Sequence, residues 1–170
     1  ALSRLSVFQG GFSAEAARAI AGASLPVLSA LADKSLLRKE GPRIFLHPLV
    51  QQLAATRLDD PVQTATRAAH AAYFHRLLAQ LRPLAEAGDR VALQTIDVEF
   101  ENCRRAWAWS IAEAQADALR LSSKTLLEYC DHRGRSEDGL ALLRAAIESP
   151  VAKADGKLEA LLLSHASHLA

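Results

Sequence analysis

From Asp60 to the end of the chain, apolar residues recur at three- and four-residue steps. Val62, Ala65, Ala69, Tyr73, Leu77 and Leu81 open the pattern, and that spacing lays one apolar stripe along an α-helix. Pro83 is placed to end or kink this helix, because its ring nitrogen has no hydrogen to donate. Ala87-Gly88-Asp89 makes the next turn. Further helices are predicted over about 90–113, 115–132, 136–149 and 155–169, with breaks at Arg133-Gly134-Arg135 and Ser149-Pro150. Helices of moderate length joined by short turns stack as antiparallel pairs, the geometry of a superhelical repeat. Composition points the same way. Half of the 170 residues are hydrophobic but only 5% are aromatic, which favours thin, close-packed helices over a sheet.

The first 58 residues follow a different rhythm. Leu2, Leu5 and Phe8 form the apolar side of a short helix that stops at Gly10-Gly11. Ser13 is a suitable N-cap, with Glu15 near the helix N-terminus. Ala16 stands where a capping box needs an acid or amide. That second helix runs to about Ala21 and ends at Gly22. A third begins near Leu25-Pro26, buries Val27, Leu28 and Leu31, and ends near Lys34-Ser35. Residues 36–39 and 43–46 flank Glu40-Gly41-Pro42 and read as a short hairpin. Three helices and a hairpin outline a winged helix. Pro48 then starts a helix carrying Leu49, Leu53, Ala54 and Leu58. The expected fold is all-α with one small β-hairpin: a winged-helix domain at 1–58, a linker helical pair at 59–112, and antiparallel helical pairs over 113–170.

Several functions are argued against by what the chain carries. Net charge is +1, from 20 basic and 19 acidic residues, a balance that demands neither nucleic acid nor a membrane surface. A signal peptide is not expected from these residues, and no apolar run nears the ~18 residues of a membrane span. Cys103 and Cys130 lack paired-motif spacing, so both are expected as reduced thiols in the cytoplasm. The chain holds no Met and opens in helical rhythm, as a piece of a longer protein would.

Catalysis finds no constellation. Glu99 and Glu101 fall on different faces of a helix, as do Cys130 and His132. Ser164, His165 and His168 read as polar surface positions on the terminal helix, and no acid or sulfur ligand joins the histidines. No nucleophile, base and orienter can be assembled, and the chain is read as a non-enzyme. A DNA-reading helix needs Arg, Asn, Gln or Lys facing base edges, whereas residues 25–35 offer Ser29, Asp33 and Lys34. Arg38, Lys39 and Arg43 on the hairpin can reach a DNA backbone, but three charges make a weak footprint. They are read as solvated.

Trp107, with Phe100 and Cys103 at helical steps, forms a core stripe, leaving Trp109 partly exposed. Arg104, Arg105, Arg133 and Arg135 read as surface or turn charges, with Glu101 a partner for Arg105. Leu158, Leu161, Leu162, Leu163 and Leu169 are too many for a solvent-facing terminal helix. They are expected to meet a further repeat or to drive self-association.

Two stretches resemble a known family. Residues 5–58 carry Leu5-Ser6-Val7-Phe8-Gln9-Gly10-Gly11-Phe12, Leu31-Ala32-Asp33-Lys34-Ser35-Leu36-Leu37 and Phe45-Leu46-His47-Pro48-Leu49. They resemble the winged-helix segment behind the nucleotide-binding core of the signal-transduction ATPases with numerous domains. That group is related to the NB-ARC proteins and includes many bacterial transcriptional regulators. The second stretch is His70-Ala71-Ala72-Tyr73-Phe74, followed by Glu99-Phe100-Glu101-Asn102-Cys103-Arg104-Arg105-Ala106-Trp107-Ala108-Trp109. It is similar to the helical linker these regulators place before a tetratricopeptide-like array. Gly134-Arg135-Ser136-Glu137-Asp138-Gly139-Leu140-Ala141-Leu142-Leu143 is similar to the turn and second helix of one repeat.

The resemblance covers about residues 1–150 and implies a regulatory role. In the family a Met-His-Asp motif ends the hairpin, and its histidine contacts the β-phosphate of bound ADP, favouring the resting state. His47 matches that histidine, with Leu46 for Met and Pro48 for Asp, so the carboxylate is lost. An imidazole donor beside a helix N-terminus suits a phosphate. The chain has no Gly-x-x-x-x-Gly-Lys-Ser/Thr loop, so ATP or ADP is expected in an upstream core and no cofactor in this segment. The implied partners are that core and a protein or small inducer on the helical array. The alternative is a self-contained DNA-binding winged-helix transcription regulator.

Overall fold

A computed structural model of the chain describes residues 2–55 and 60–169, which fall into two compact units, Ala1–Tyr73 and Phe74–Ala170. The fold is all-α with one small β-hairpin. In the first unit, α1 (Leu2–Leu5) is shorter than its apolar pattern suggests. The chain continues to Phe8 in tighter turns, each backbone N–H reaching the carbonyl three residues back at 3.3 Å. Phe8 is still buried and stacks on Phe12 with ring centres 4.4 Å apart. Ser13 caps α2 (Ala14–Ala21) by accepting the Ala16 N–H at 3.1 Å, and the helix ends at Gly22 as its residues predict.

Expectation and structure part at α3 (Leu25–Asp33). Only Leu28 is buried; Val27 is exposed and Leu31 half-buried. This nine-residue helix packs on one narrow strand, so a single line of its surface is covered. β1 (Leu37–Glu40) starts one residue later than predicted and pairs antiparallel with β2 (Arg43–Leu46), from Leu37 opposite Leu46 to Glu40 opposite Arg43. Two residues close the hairpin: Gly41 takes φ +57°, and Pro42 supplies the following negative φ, the sign pattern of a type II′ turn. Ile44 exchanges both backbone hydrogen bonds with Phe12 at 2.9 Å, tying the hairpin to the helices. α4 (Pro48–Ala55) buries Ala54 but leaves Leu49 and Leu53 exposed, and Leu58 lies outside the described residues.

α5 (Asp60–Glu86) is one long helix whose inward face differs from its apolar stripe. The buried line is Thr66, His70, Ala71, Phe74, His75, Leu78 and Ala85. Ala65 is exposed, and Val62, Ala69, Tyr73, Leu77 and Leu81 are only half-buried. The shift of one position has a physical reason. Polar residues on the inward side are satisfied internally, as when Thr66 donates to the Val62 carbonyl at 2.7 Å, so counting apolar residues alone misplaces the face. Pro83 does not end the helix, which runs on to Glu86; there it forfeits a hydrogen bond only near the last turn.

The second unit adds α6 (Arg90–Ala112), α7 (Ala116–His132), α8 (Ser136–Ile147), the single turn α9 (Pro150–Lys153) within the predicted break, and α10 (Gly156–Leu169). Asp89 caps α6 by accepting the Ala92 N–H at 2.8 Å. Side-chain contacts give the helix directions. Asp97 on α6 meets Tyr129 and Arg133 at the end of α7, while Ser110 and Ser122 flank His75 at the other end. These two helices are therefore antiparallel. His75 to Ser122 and Leu78 to Thr125 set α5 parallel to α7. Asp155, just before α10, holds Arg120 of α7, and Leu169 at its end lies against Gly139. A Cβ on Gly139 would stand 2.6 Å from a Leu169 methyl and 2.9 Å from the Cys130 Cβ, so glycine lets three helices meet there.

The terminal leucines turn inward, contrary to the exposed stripe expected of them. Leu158, Leu162 and Leu169 are buried, Leu161 is half-buried, and only Leu163 is well exposed. α7 and α8 supply the covering surface. Among the described residues no helix is long and apolar enough to cross a membrane.

Candidate functional site

Strand alternation builds the site. Ile44 and Leu46 of β2 face inward, so His47 emerges exposed, and Pro48 with its preset φ begins α4 at once. His47 Nδ1 accepts the Leu49 N–H at 3.3 Å. With that nitrogen occupied as an acceptor, a neutral ring carries its proton on Nε2 and offers it as a donor. His47 lines a groove of about 550 Å³ together with Ser35, Arg38, Phe45 and Pro48.

The hairpin cations are not equally available. Arg38 shares the groove with His47, lies 5.6 Å over the Phe45 ring, and pairs with Glu40 at 2.9 Å. Arg43 turns back to donate to the Gly11 carbonyl at 2.5 Å, a structural engagement its reading as a solvated charge overlooks. Lys39 is exposed. On α3, Ser29 and Asp33 are exposed beside Leu25 and Val27, and Lys34 is exposed just past its end, so this outward surface is mixed and carries a single cation.

Glu99 is buried and accepts from Asn102 at 2.9 Å, while Glu101 is exposed and pairs with Arg104 at 3.3 Å, so the two carboxylates diverge. Cys103 and Cys130 are free and buried. Burial pushes the Cys130 thiol up to about 12 and raises that of Cys103 as well, which suppresses thiolate chemistry. Among the described residues no three His, Cys, Asp or Glu side chains gather to hold a metal ion.

His165 is buried, not a surface histidine, because α10 docks against α7 and α8. Arg135 is pinned, not solvated: it lies 4.0 Å over the Phe100 ring, donates to Asp138 at 2.8 Å, and reaches the Tyr129 hydroxyl at 3.2 Å. Burial and the neighbouring Asp97 carboxylate push that hydroxyl up to about 12. Trp107 is in the core as predicted, with its Nε1 donating to the Leu142 carbonyl at 2.9 Å, and Trp109 is partly exposed.

The chain is 30% identical over 157 residues to proteins of Mycobacterium bovis and of two strains of Mycobacterium tuberculosis, each provisionally named an HTH-type transcriptional regulator. The alignment takes in 85% of this chain but 18% of each relative, so the chain spans less than a fifth of the curated relatives it matches. No family model matches the chain. No solved structure matches it either.

Proposed function

We propose that this chain is a non-catalytic regulatory segment of a transcription regulator. Its winged-helix part acts as a switch against an upstream nucleotide-binding core, and its helical pairs form the start of a tetratricopeptide-like array that receives a protein partner or a small inducer. The regulatory role is supported by the similarity to the mycobacterial regulators. The switch rests on one observation above the others: an exposed His47 imidazole, held by the Leu49 N–H, sits at a helix N-terminus beside an open groove. An Nε2–H donor in that setting suits a phosphate oxygen. The alternation of α5, α7 and α10 with the reversed α6 and α8 supports the array, as does the resemblance already described.

The name those relatives carry favours a second reading, in which the winged helix itself contacts DNA. The exposed face of α3 bears Leu25, Val27, Ser29 and Asp33, Arg38 pairs with Glu40 at the surface, and Arg43 is turned onto the Gly11 carbonyl. These features weigh toward a protein-facing surface. The match spans so small a part of each relative that the helix-turn-helix element in the name need not lie in this stretch.

The test is ADP affinity in a protein that carries this segment behind its nucleotide-binding core. His47→Ala is expected to weaken ADP binding about tenfold, the loss of one hydrogen bond to a charged group. Unchanged affinity in the folded variant would remove His47 from the switch.

A further inference from the structure

α10 lays Leu158, Leu162 and Leu169 against α7 and α8, and His165 stands on the same inward face. His165 is only 8% exposed, and its Nδ1 is buried with no hydrogen-bond partner. A buried polar atom left unpaired costs about 1–3 kcal/mol, so a histidine in this place calls for an account. The ionisable groups that act on it are Lys124 and Glu128 from α7, Arg82 from α5, and His168 one turn on along α10. α8 turns the uncharged Gly139, Leu143 and Ala146 inward. The one carboxylate among these groups, Glu128, is already engaged with Lys124 at 2.5 Å, and Arg82 pairs with Glu86 at 2.8 Å.

The two forms of the ring fare differently here. A neutral imidazole leaves one nitrogen unmet and no charge to solvate. An imidazolium would bury a charged N–H without an acceptor while facing Lys124 and Arg82. We propose that His165 is a pH latch for the terminal helix: protonation loosens α10 from α7 and α8 and uncovers Leu158, Leu162 and Leu169. The proton comes from solvent, and once α10 lifts away the charged ring is hydrated.

The direction of the effect follows from linkage. Burial first, then Lys124 and Arg82, hold the docked ring below its ordinary value of 6.5, whereas a ring on a released helix titrates near that value. Docking is therefore fully favoured above about pH 6.5 and weakens as pH falls below it. One unit lower, release gains at most about tenfold.

Hydrogen exchange on the full 170-residue chain reads this directly. Protection of the α10 amides, corrected for intrinsic exchange, should fall between about pH 7.5 and about pH 5.5, by up to about tenfold. The fall should persist in His75→Leu, which removes the acid response of the other buried histidine of this unit, and vanish when His165→Leu or His165→Gln is added to that variant. A fall that survives in both double variants, or that is absent in His75→Leu alone, overturns the latch.

Discussion

Trp107→Ala should lower the unfolding free energy by about 3–5 kcal/mol, the range for removing a fully buried large aromatic side chain. Trp107 is 1% exposed and does two things at once. Its ring fills the centre of the second unit, where His75 is also buried, with ring centres 6.5 Å apart. Its Nε1–H ties α6 to the α8 backbone at Leu142. Trp107→Phe separates these roles, since it keeps most of the packing and leaves the Leu142 carbonyl without its donor, a loss of about 1–2 kcal/mol. Urea unfolding followed by circular dichroism measures both. Near-native stability in the alanine variant would show that the helices do not depend on this contact.

Acid should cost nearly as much through His75. Its ring is buried, with Nδ1 2.7 Å from the Ser122 hydroxyl and Nε2 2.8 Å from that of Ser110, so the neutral form is satisfied on both sides. Burial lowers its pKa from 6.5 to about 4, and the Ala106 carbonyl, which favours the charged form, offsets only part of this. The unfolded chain takes up a proton below about pH 6.5 and the folded chain does not. Stability is therefore complete above that pH and drains away as pH falls toward 4, by about 3 kcal/mol in all. Urea midpoints at about pH 7 and about pH 4.5 should differ accordingly. In His75→Leu most of that difference should disappear, leaving the smaller share of His165. An equal acid loss in the variant would locate the responsible group elsewhere.

The element boundaries could be read from residues because they depend on local chemistry. Ser13 caps α2, Gly22 ends it, and Gly41-Pro42 turns the hairpin, whatever the rest of the protein does. Which face is buried depends on packing partners, and there the reading was less complete. The inward side of α5 carries His70 and His75, residues that a count of apolar positions passes over. The leucines of α10 looked too numerous for one helix until α7 and α8 covered them, and the same docking buried His165. Val27 and Leu49 erred the other way, apolar by type and exposed in place. His47 stands out in the sequence only through resemblance, and its bond to the Leu49 N–H depends on the backbone turn into α4.

We propose that the winged-helix part switches and docks without reading DNA. Fluorescence anisotropy of labelled duplex DNA, titrated with this chain at about 50 and about 200 mM salt, tests it most directly. The account predicts no salt-dependent binding at micromolar protein. Binding that weakens steeply with salt and is reduced by Arg38→Ala or Lys39→Ala would contradict it and make the hairpin a DNA contact.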